Sequence, residues 1–266
     1  MVRCGEAGRT LLLQHVDGID DGGLRMTWSI IARDAQTGAF GVLCASRALA
    51  VGAVVPYGAG RTGAIATQAF ANPFFGVDGL RMLREGCSSQ DIVGALVAAD
   101  EGRDHRQVHV IDRTGSAACH TGSACIAWSG SVSAPDVSVA GNMLAGPQVV
   151  EATLDAYLAA SALDFDERLI VAMEAGECEG GDSRGRQSCA IRIWSDAPFA
   201  SFDLRVDDHA EPLKELRRLW RLAHQGYAPF QAALPSRAKP AGVTDRDAVY
   251  RMCAEYAEAW NARHPE

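Results

Sequence analysis

The sequence predicts an α+β fold built on mainly antiparallel sheets. Strand-like segments occur in clusters and helix-like segments occur in pairs, whereas a doubly wound parallel sheet requires the two to alternate. Two short polar loops that end in glycine, at residues 34–38 and 113–115, each join two strand-like segments and are typical of hairpins. The expected architecture is therefore one of helical layers packed on antiparallel sheets.

Seven short segments are predicted to be strands, because apolar and β-branched residues in them are bounded by turn residues. In chain order they are 27–33, 40–47, 64–69, 107–112, 116–120, 137–142 and 187–194. The first two flank one glycine-ended loop and should form a hairpin, as should the fourth and fifth. The last segment is apolar enough to be a buried strand.

Six segments are predicted to be helices, because apolar side chains recur in them at every third or fourth position. They are 79–85, a helix capped by Ser88, 147–160, 165–175, 211–224 and 245–262. Ser88 and Asp91 resemble a capping box, in which a hydroxyl and a carboxylate satisfy the first turn. The proline-bearing stretch 229–242 is expected to connect the last two helices.

Composition and charge exclude several classes of protein. Apolar residues make up 48% and charged residues 22% of the chain, as in ordinary globular proteins. The net charge of -8 disfavours a nucleic acid or an anionic membrane as partner, and the apolar runs are too short to span a bilayer. The eight cysteines form no CxxC pair, and residues 1–25 do not resemble an export signal. We therefore expect a reduced, cytoplasmic protein.

Thr27 is the most informative residue of the chain. A threonine at the start of a mature chain carries a hydroxyl and a free α-amine, so one residue can supply both nucleophile and base. Residues 1–26 precede it in this sequence, and an internal threonine has no free amine. We interpret residues 1–25 as an upstream start or a disordered tail, with a cleaved propeptide as the alternative. Translation from Met26 would free Thr27, because threonine is small enough for removal of the initiator methionine.

The first hairpin predicts which side chains surround Thr27. With Gln36 at the centre of the turn, Thr27 lies opposite Ala45, and Arg47 is its diagonal neighbour at about 7 Å. An arginine there would lower the pKa of the α-amine and stabilise an alkoxide. Ser29 shares the same face and is a candidate substrate-binding residue. A register shift of one residue would replace Arg47 with Ser46, and Arg47 could instead end a strand and pair with a surface carboxylate.

The glycine-rich loop at residues 180–188 is the densest polar cluster of the sequence. Its two arginines can hold a substrate carboxylate, and Asp182 can orient either of them or the Thr27 amine. A solvated loop whose charges pair with one another is the alternative. The candidate substrate-binding residues in it are Arg184, Arg186, Gln187 and Ser188.

Two further polar positions follow predicted strands. Asn142, or the backbone N–H groups of its turn, can form an oxyanion hole, although the residue could simply adopt a left-handed turn. Gln68, at the end of another strand, is a weaker candidate for substrate binding. Asp207, Asp208 and His209 do not converge on one face, so no metal site is predicted. No P-loop, dinucleotide fingerprint or GxSxG elbow is present, and no cofactor is expected.

Longer motifs resemble a bacterial family of unknown function that is described as N-terminal-nucleophile (Ntn) hydrolases. The segments that carry the resemblance are 27–34, 41–42, 45–47, 50–56, 66–69, 141–147, 180–188 and 203–209. The resemblance implies a four-layer fold of helices, sheet, sheet and helices, and hydrolysis of an amide bond. It covers roughly residues 26–224, which leaves 1–25 as an extension and 225–266 as a C-terminal connector and helix.

These observations lead to three hypotheses. In the first, Thr27 attacks an amide of a small, anionic substrate, with Arg47, Asn142 and Asp182 in the catalytic site. In the second, the same fold is a non-catalytic small-molecule binder whose Thr27 stays inside an uncut chain. The third hypothesis, a scaffold that forms homo-oligomers through residues 245–262, is compatible with either. The sequence does not identify a substrate.

Overall fold

Two antiparallel sheets form the centre of the molecule, and the computed structural model describes residues 27–265. The strands are β1 Thr27–Arg33, β2 Phe40–Ser46, β3 Pro56–Ala59, β4 Gly63–Ala69, β5 Arg106–Asp112, β6 Ala117–Thr121, β7 Trp128–Ala134, β8 Val137–Leu144, β9 Ser188–Trp194 and β10 Phe202–Val206. The first sheet has the order β10-β9-β2-β1-β8-β7, and the second has the order β3-β4-β5-β6. The predicted α+β class with antiparallel sheets is confirmed.

Helices pack on both sheets. They are α1 Pro73–Glu85, α2 Ser89–Ala99, α3 Gln148–Ala159, α4 Phe165–Cys178, α5 Pro212–Ala223, α6 Tyr227–Gln231 and α7 Arg246–Arg263. The helices α1 and α2 contact the second sheet, whereas α3, α4 and α5 contact the first. The first helix begins six residues before the predicted start at residue 79, because Asn72 caps it and Pro73 fits its first turn.

The strand β1 is central in its sheet and is buried on both faces. Trp28, Ile30 and Ala32 pack with the helices α3 and α4 in the larger apolar core. The alternate residues Thr27, Ser29 and Ile31 point to the second sheet, since successive strand residues face opposite sides. Ile31 lies in the apolar core between the sheets, and the two polar residues lie nearer the end of the strand. The space between the two sheets therefore holds buried polar groups at that end.

The C-terminal helix α7 is held by an aromatic cluster. Trp260 stacks on His224, with ring centroids 4.8 Å apart, and meets Trp220 edge to face at 5.2 Å. The two ring nitrogens of His224 lie 2.8 Å from the Tyr256 hydroxyl and 2.8 Å from a carboxylate oxygen of Asp166. The predicted C-terminal helix is thus present and packs on its own chain, and its role in self-association stays a prediction.

No helix within residues 27–265 has both the length and the apolar character that a bilayer crossing requires.

Candidate active site

The register of the first hairpin differs by one residue from the prediction. Trp28 pairs with Ala45, so the partner of Thr27 is Ser46, and their hydroxyl oxygens are 3.3 Å apart. The prediction that Arg47 is the diagonal neighbour of Thr27 on that face is therefore wrong. The loop causes the shift: residues 34–39 are even in number, and Asp34 N–H donates to the Ala39 carbonyl at 2.8 Å. The turn centre consequently lies after Gln36 and not on it.

Thr27 is buried at the end of its strand, with 2% of its surface exposed. On the side away from Ser46 its backbone partner is Asn142 of β8. The Asn142 side-chain amide donates to the Thr27 carbonyl oxygen at 3.2 Å. Both neighbouring strands therefore fix the position of Thr27.

Asp182 lies beyond the start of β1, between its two neighbouring strands. Leu144 is the last residue of β8, two residues after Asn142, and Asp182 forms an isolated antiparallel bridge with it. The Asp182 carboxylate also accepts from the Arg47 backbone N–H at 2.8 Å, on the β2 side of the same gap. Asp182 is itself buried. The prediction that Asp182 orients one of the arginines or the Thr27 amine stays a prediction, and the residue lies at the end of the sheet where Thr27 begins β1.

The three arginines of the predicted site lie around Asp182. Arg184 forms an ion pair with Asp182 at 3.4 Å, and its backbone N–H donates to the same carboxylate at 2.9 Å. Arg47 is exposed beside Gly185, where a Cβ would lie 3.7 Å from the Arg47 Cδ. Arg186 is more remote, because it is exposed and pairs with Glu177 at 3.3 Å. Arg47 and Arg184 therefore border Asp182, whereas Arg186 lies farther away.

Gln187 and Ser188, the last two residues of the predicted loop, form their side-chain hydrogen bonds with residues other than Thr27. Ser188 has no exposed surface: its hydroxyl donates to the Ala48 carbonyl and accepts from Val51 N–H at 3.1 Å. It shapes the loop after β2. The Gln187 side chain donates to Asp208 at 3.1 Å on the other side of that loop.

A network of uncharged side chains, all buried except the half-buried Thr121, connects the two sheets behind Thr27. We call it the polar network, and its members are Ser29, Gln68, Gln107, His109, Thr121, Ser138 and Asn142. Ser29 donates to Gln68 at 2.7 Å and contacts His109 Nε2 at 2.9 Å. Burial lowers the pKa of His109 to about 3, so its ring is neutral at physiological pH. Ser29 and Gln68 were predicted as substrate-binding residues, and the structure brings both into this network.

Gln107 and His109 were missed as site residues by the sequence analysis. They alternate along β5 and therefore share the face that points to the first sheet. Polar residues at alternate positions of a buried strand were a signal that the sequence offered. Their partners on β1 and β8 could not be read from it, because those partners lie up to 80 residues away in the chain.

A small apolar cavity opens beside Thr27. Its volume is about 10 Å³, room for about one water molecule. Besides Thr27 and Gln68, its lining is entirely apolar: Ala48, Leu49, Val51, Val54, Val55, Ala69 and Ala71. Leu49 is 63% exposed and forms its outer wall. A substrate group larger than a methyl group could enter this cavity only if the Leu49 side chain moved.

Left-handed backbone conformations surround this cavity. Ala69 lines it with φ 63°, Ala50 lies between two lining residues with φ 55°, and Met143 directly follows Asn142 with φ 53°. Residues other than glycine rarely adopt such angles, which cost about 1–3 kcal/mol each and cluster at functional sites. Three of the six non-glycine residues with such angles within residues 27–265 lie in this region.

Comparison with known proteins places the chain in a family. A model described as "Family of unknown function (DUF1028)" matches residues 27–216. The chain belongs to this family. A DUF1028 crystal structure from Silicibacter pomeroyi is 33% identical to it, and the match covers 83% of this chain and 100% of that one with a TM-score of 0.75. No curated protein matches.

A structure of Anbu (ancestral beta-subunit) from Yersinia bercovieri is 11% identical, with 79% of this chain and 98% of that one covered and a TM-score of 0.37. A likeness at that level carries no argument. The predicted resemblance to a bacterial family of unknown function is therefore confirmed by the DUF1028 match, and the Ntn description of it stays a prediction. The family match begins at Thr27 and ends within α5, so α6 and α7 lie outside it.

Proposed function

We propose that this DUF1028 protein is an amide hydrolase of the N-terminal-nucleophile type, with Thr27 as the nucleophile in a chain that starts there. The observation that carries the proposal is the placement of the buried Asp182 carboxylate beyond the start of β1, where it bridges to Leu144 of β8 and accepts from the Arg47 backbone N–H after β2. A carboxylate there can accept a hydrogen bond from the α-amine and orient it toward the hydroxyl of the same residue. The layered fold of helices, sheet, sheet and helices belongs to the same proposal.

The reaction proceeds through an ester of Thr27. Its Oγ attacks the amide carbon while the α-amine takes the hydroxyl proton. The C–N bond then breaks, and the amine gives this proton to the leaving nitrogen. Water attacks the ester with the amine again as base, and the acid is released with Thr27 regenerated. We assign the oxyanion site to backbone N–H groups of the turn after Asn142, since the Asn142 side-chain amide already donates to Thr27 and Gln107.

The substrate is proposed to be a small anionic amide. Arg47 and Arg184 border the Asp182 position and can attract a carboxylate. Arg186 belongs to the outer rim, because it pairs with Glu177. The apolar cavity admits a group of about methyl size next to the hydroxyl. The polar network adds no charge near the amine, and the Arg184 guanidinium offsets the Asp182 carboxylate, which alone would favour a protonated amine.

The proposal is tested on Thr27 itself. The intact mass of the protein isolated from its natural host shows whether the chain begins at Thr27. That preparation is then assayed for hydrolysis of a panel of N-acetyl amino acids and N-acetyl dicarboxylic amino acids, together with the Thr27→Ala and Thr27→Ser variants. We expect Thr27→Ala to reduce turnover to background and Thr27→Ser to retain part of it, because serine keeps a hydroxyl on the same backbone.

Both variants should fold, since within residues 27–265 the hydroxyl of Thr27 makes one hydrogen bond, to Ser46, which contributes about 1 kcal/mol. Turnover by Thr27→Ala equal to that of the natural residue would reject the nucleophile. A natural protein whose mass includes residues 1–26 would instead support the second hypothesis, a non-catalytic small-molecule binder on this fold.

A further inference from the structure

Gln107 is the member of the polar network with the most partners. It lies in register with Gln68 on one neighbouring strand and with Thr121 on the other, so the three side chains form a row across the second sheet. The row faces the end of β1 and β8, where Thr27 pairs with Asn142. Gln107 has no exposed surface. A fully buried amide is tolerated because its donors and acceptor are all engaged.

The surroundings permit one orientation of the Gln107 amide. Its Nε2 lies 2.8 Å from the Gly141 carbonyl oxygen and 3.2 Å from the Gly130 carbonyl oxygen. Carbonyl oxygens only accept hydrogen bonds, so the NH₂ group must point at them. The Gln107 Oε1 must therefore point the other way, and two amide groups donate to it there: Gln68 at 2.7 Å and Asn142 at 3.1 Å.

The orientation of the Gln107 amide fixes the orientation of two other side-chain amides near Thr27, those of Asn142 and Gln68. Because Asn142 has to present its NH₂ to Gln107, the same NH₂ also reaches the Thr27 carbonyl oxygen at 3.2 Å. Rotating the Asn142 amide by half a turn would place two oxygens against each other at both contacts. Gln68 is fixed in the same way by Gln107 and by the Ala140 carbonyl at 3.1 Å, and its side chain lines the cavity next to Thr27.

We propose that Gln107 is a positioning residue, which sets the attack geometry of Thr27 by locking the Asn142 and Gln68 amides from the opposite sheet. The inference rests on the proposed nucleophile. A shift of about 1 Å in a reacting group can reduce a rate by about a hundredfold. Loss of Gln107 should therefore slow chemistry at Thr27 much more than it weakens binding.

The experiment measures acylation of Thr27 by β-butyrolactone, so that it needs no natural substrate. The Thr27 Oγ attacks the lactone carbonyl, the ring C–O bond breaks, and the hydroxyl proton passes through the α-amine to the released ring oxygen. The protein therefore gains the whole mass of the probe. The rate of this gain at several probe concentrations separates the maximal rate from the apparent affinity. It is measured on the natural protein with its Thr27 terminus, and peptide mapping locates the adduct.

Gln107→Met is compared with Ser138→Ala as a matched control. Methionine has a similar length and no hydrogen-bonding amide, whereas Ser138 is equally buried in the same network and contacts His109, remote from Asn142. We expect Gln107→Met to lower the maximal acylation rate by about tenfold to a hundredfold with the apparent affinity changed less than about twofold. Ser138→Ala should leave both quantities within about twofold of those of the natural protein, even if its melting temperature falls as far as that of Gln107→Met.

Gln107→Glu keeps the test decisive if the methionine variant fails to fold. A protonated Glu reproduces both contacts, because its O–H donates to the Gly141 carbonyl and its C=O accepts from the two amides. An ionised Glu has no donor. The ratio of its acylation rate to that of the natural protein should consequently fall as the pH rises. A constant ratio, or a methionine variant as fast as Ser138→Ala, would overturn the positioning role. Absence of any Thr27 adduct on the natural protein would reject the nucleophile, and the positioning role with it.

Discussion

His109 should make the folded protein sensitive to mild acid. Its ring is fully buried between the sheets, and its two nitrogens contact Ser29 at 2.9 Å and Ser138 at 3.0 Å. Burial lowers its pKa from the ordinary value of 6.5 to about 3. The unfolded chain therefore binds a proton between these two values that the folded chain does not, and folding stability falls as the pH falls from about 6.5 toward 3. The slope approaches about 1.4 kcal/mol per pH unit, so this one group should remove about 2 kcal/mol between pH 7 and pH 5.

Urea unfolding of the natural protein and of His109→Gln at both pH values isolates this contribution. Glutamine stays neutral, so the variant lacks the linked proton while every other titrating group is retained. We expect the free energy of unfolding of the natural protein to fall by about 2 kcal/mol more than that of the variant over the interval. Equal losses in the two proteins would show that His109 takes up its proton in the folded state, and the assignment of a neutral buried ring would be refuted.

Two further predictions concern packing. Gly58→Ala should destabilise the protein by about 1–3 kcal/mol in urea unfolding, because the new Cβ would lie 2.3 Å from the buried Trp194 ring. Its matched control, Gly94→Ala in α2, meets nothing within 4 Å and should stabilise the protein by up to about 1 kcal/mol, and the reverse order would refute the packing argument. Tyr256→Phe should cost about 1 kcal/mol, since it removes the 2.8 Å hydrogen bond to His224. An unchanged unfolding midpoint would show that this hydrogen bond does not help to hold α7.

Local patterns predicted most of the elements. The two hairpins and the buried strand β9 follow from apolar runs between turn residues, and α2 begins where Ser88 caps it. Three strands were missed for identifiable reasons. β7 is rich in serine and glycine and lies at a sheet edge, so it lacks the apolar alternation of a core strand. β3 and β10 are short, and β3 begins at a proline.

The candidate site was predictable only as a set of residues. Local reasoning found Thr27, Asn142 and Asp182, which the fold brings together at one end of the first sheet. It failed on the register, because one extra residue in a loop moves every side chain of a strand to a new partner. It missed Gln107, which the alternating polar residues of β5 signal, and it could not predict the role of that amide, since its partners come from four other strands.

Because the polar network is uncharged, ionic strength should affect the binding of an anion by this protein but not the geometry around Thr27. Added salt screens charges at the surface, with a Debye length of about 8 Å at physiological ionic strength, but does not act on hydrogen-bonded dipoles enclosed between two sheets. Capture of an anion by Arg47 and Arg184 should weaken as salt rises, while the arrangement around Thr27 stays as it is. Titration with sodium chloride can therefore tell recruitment apart from reactivity.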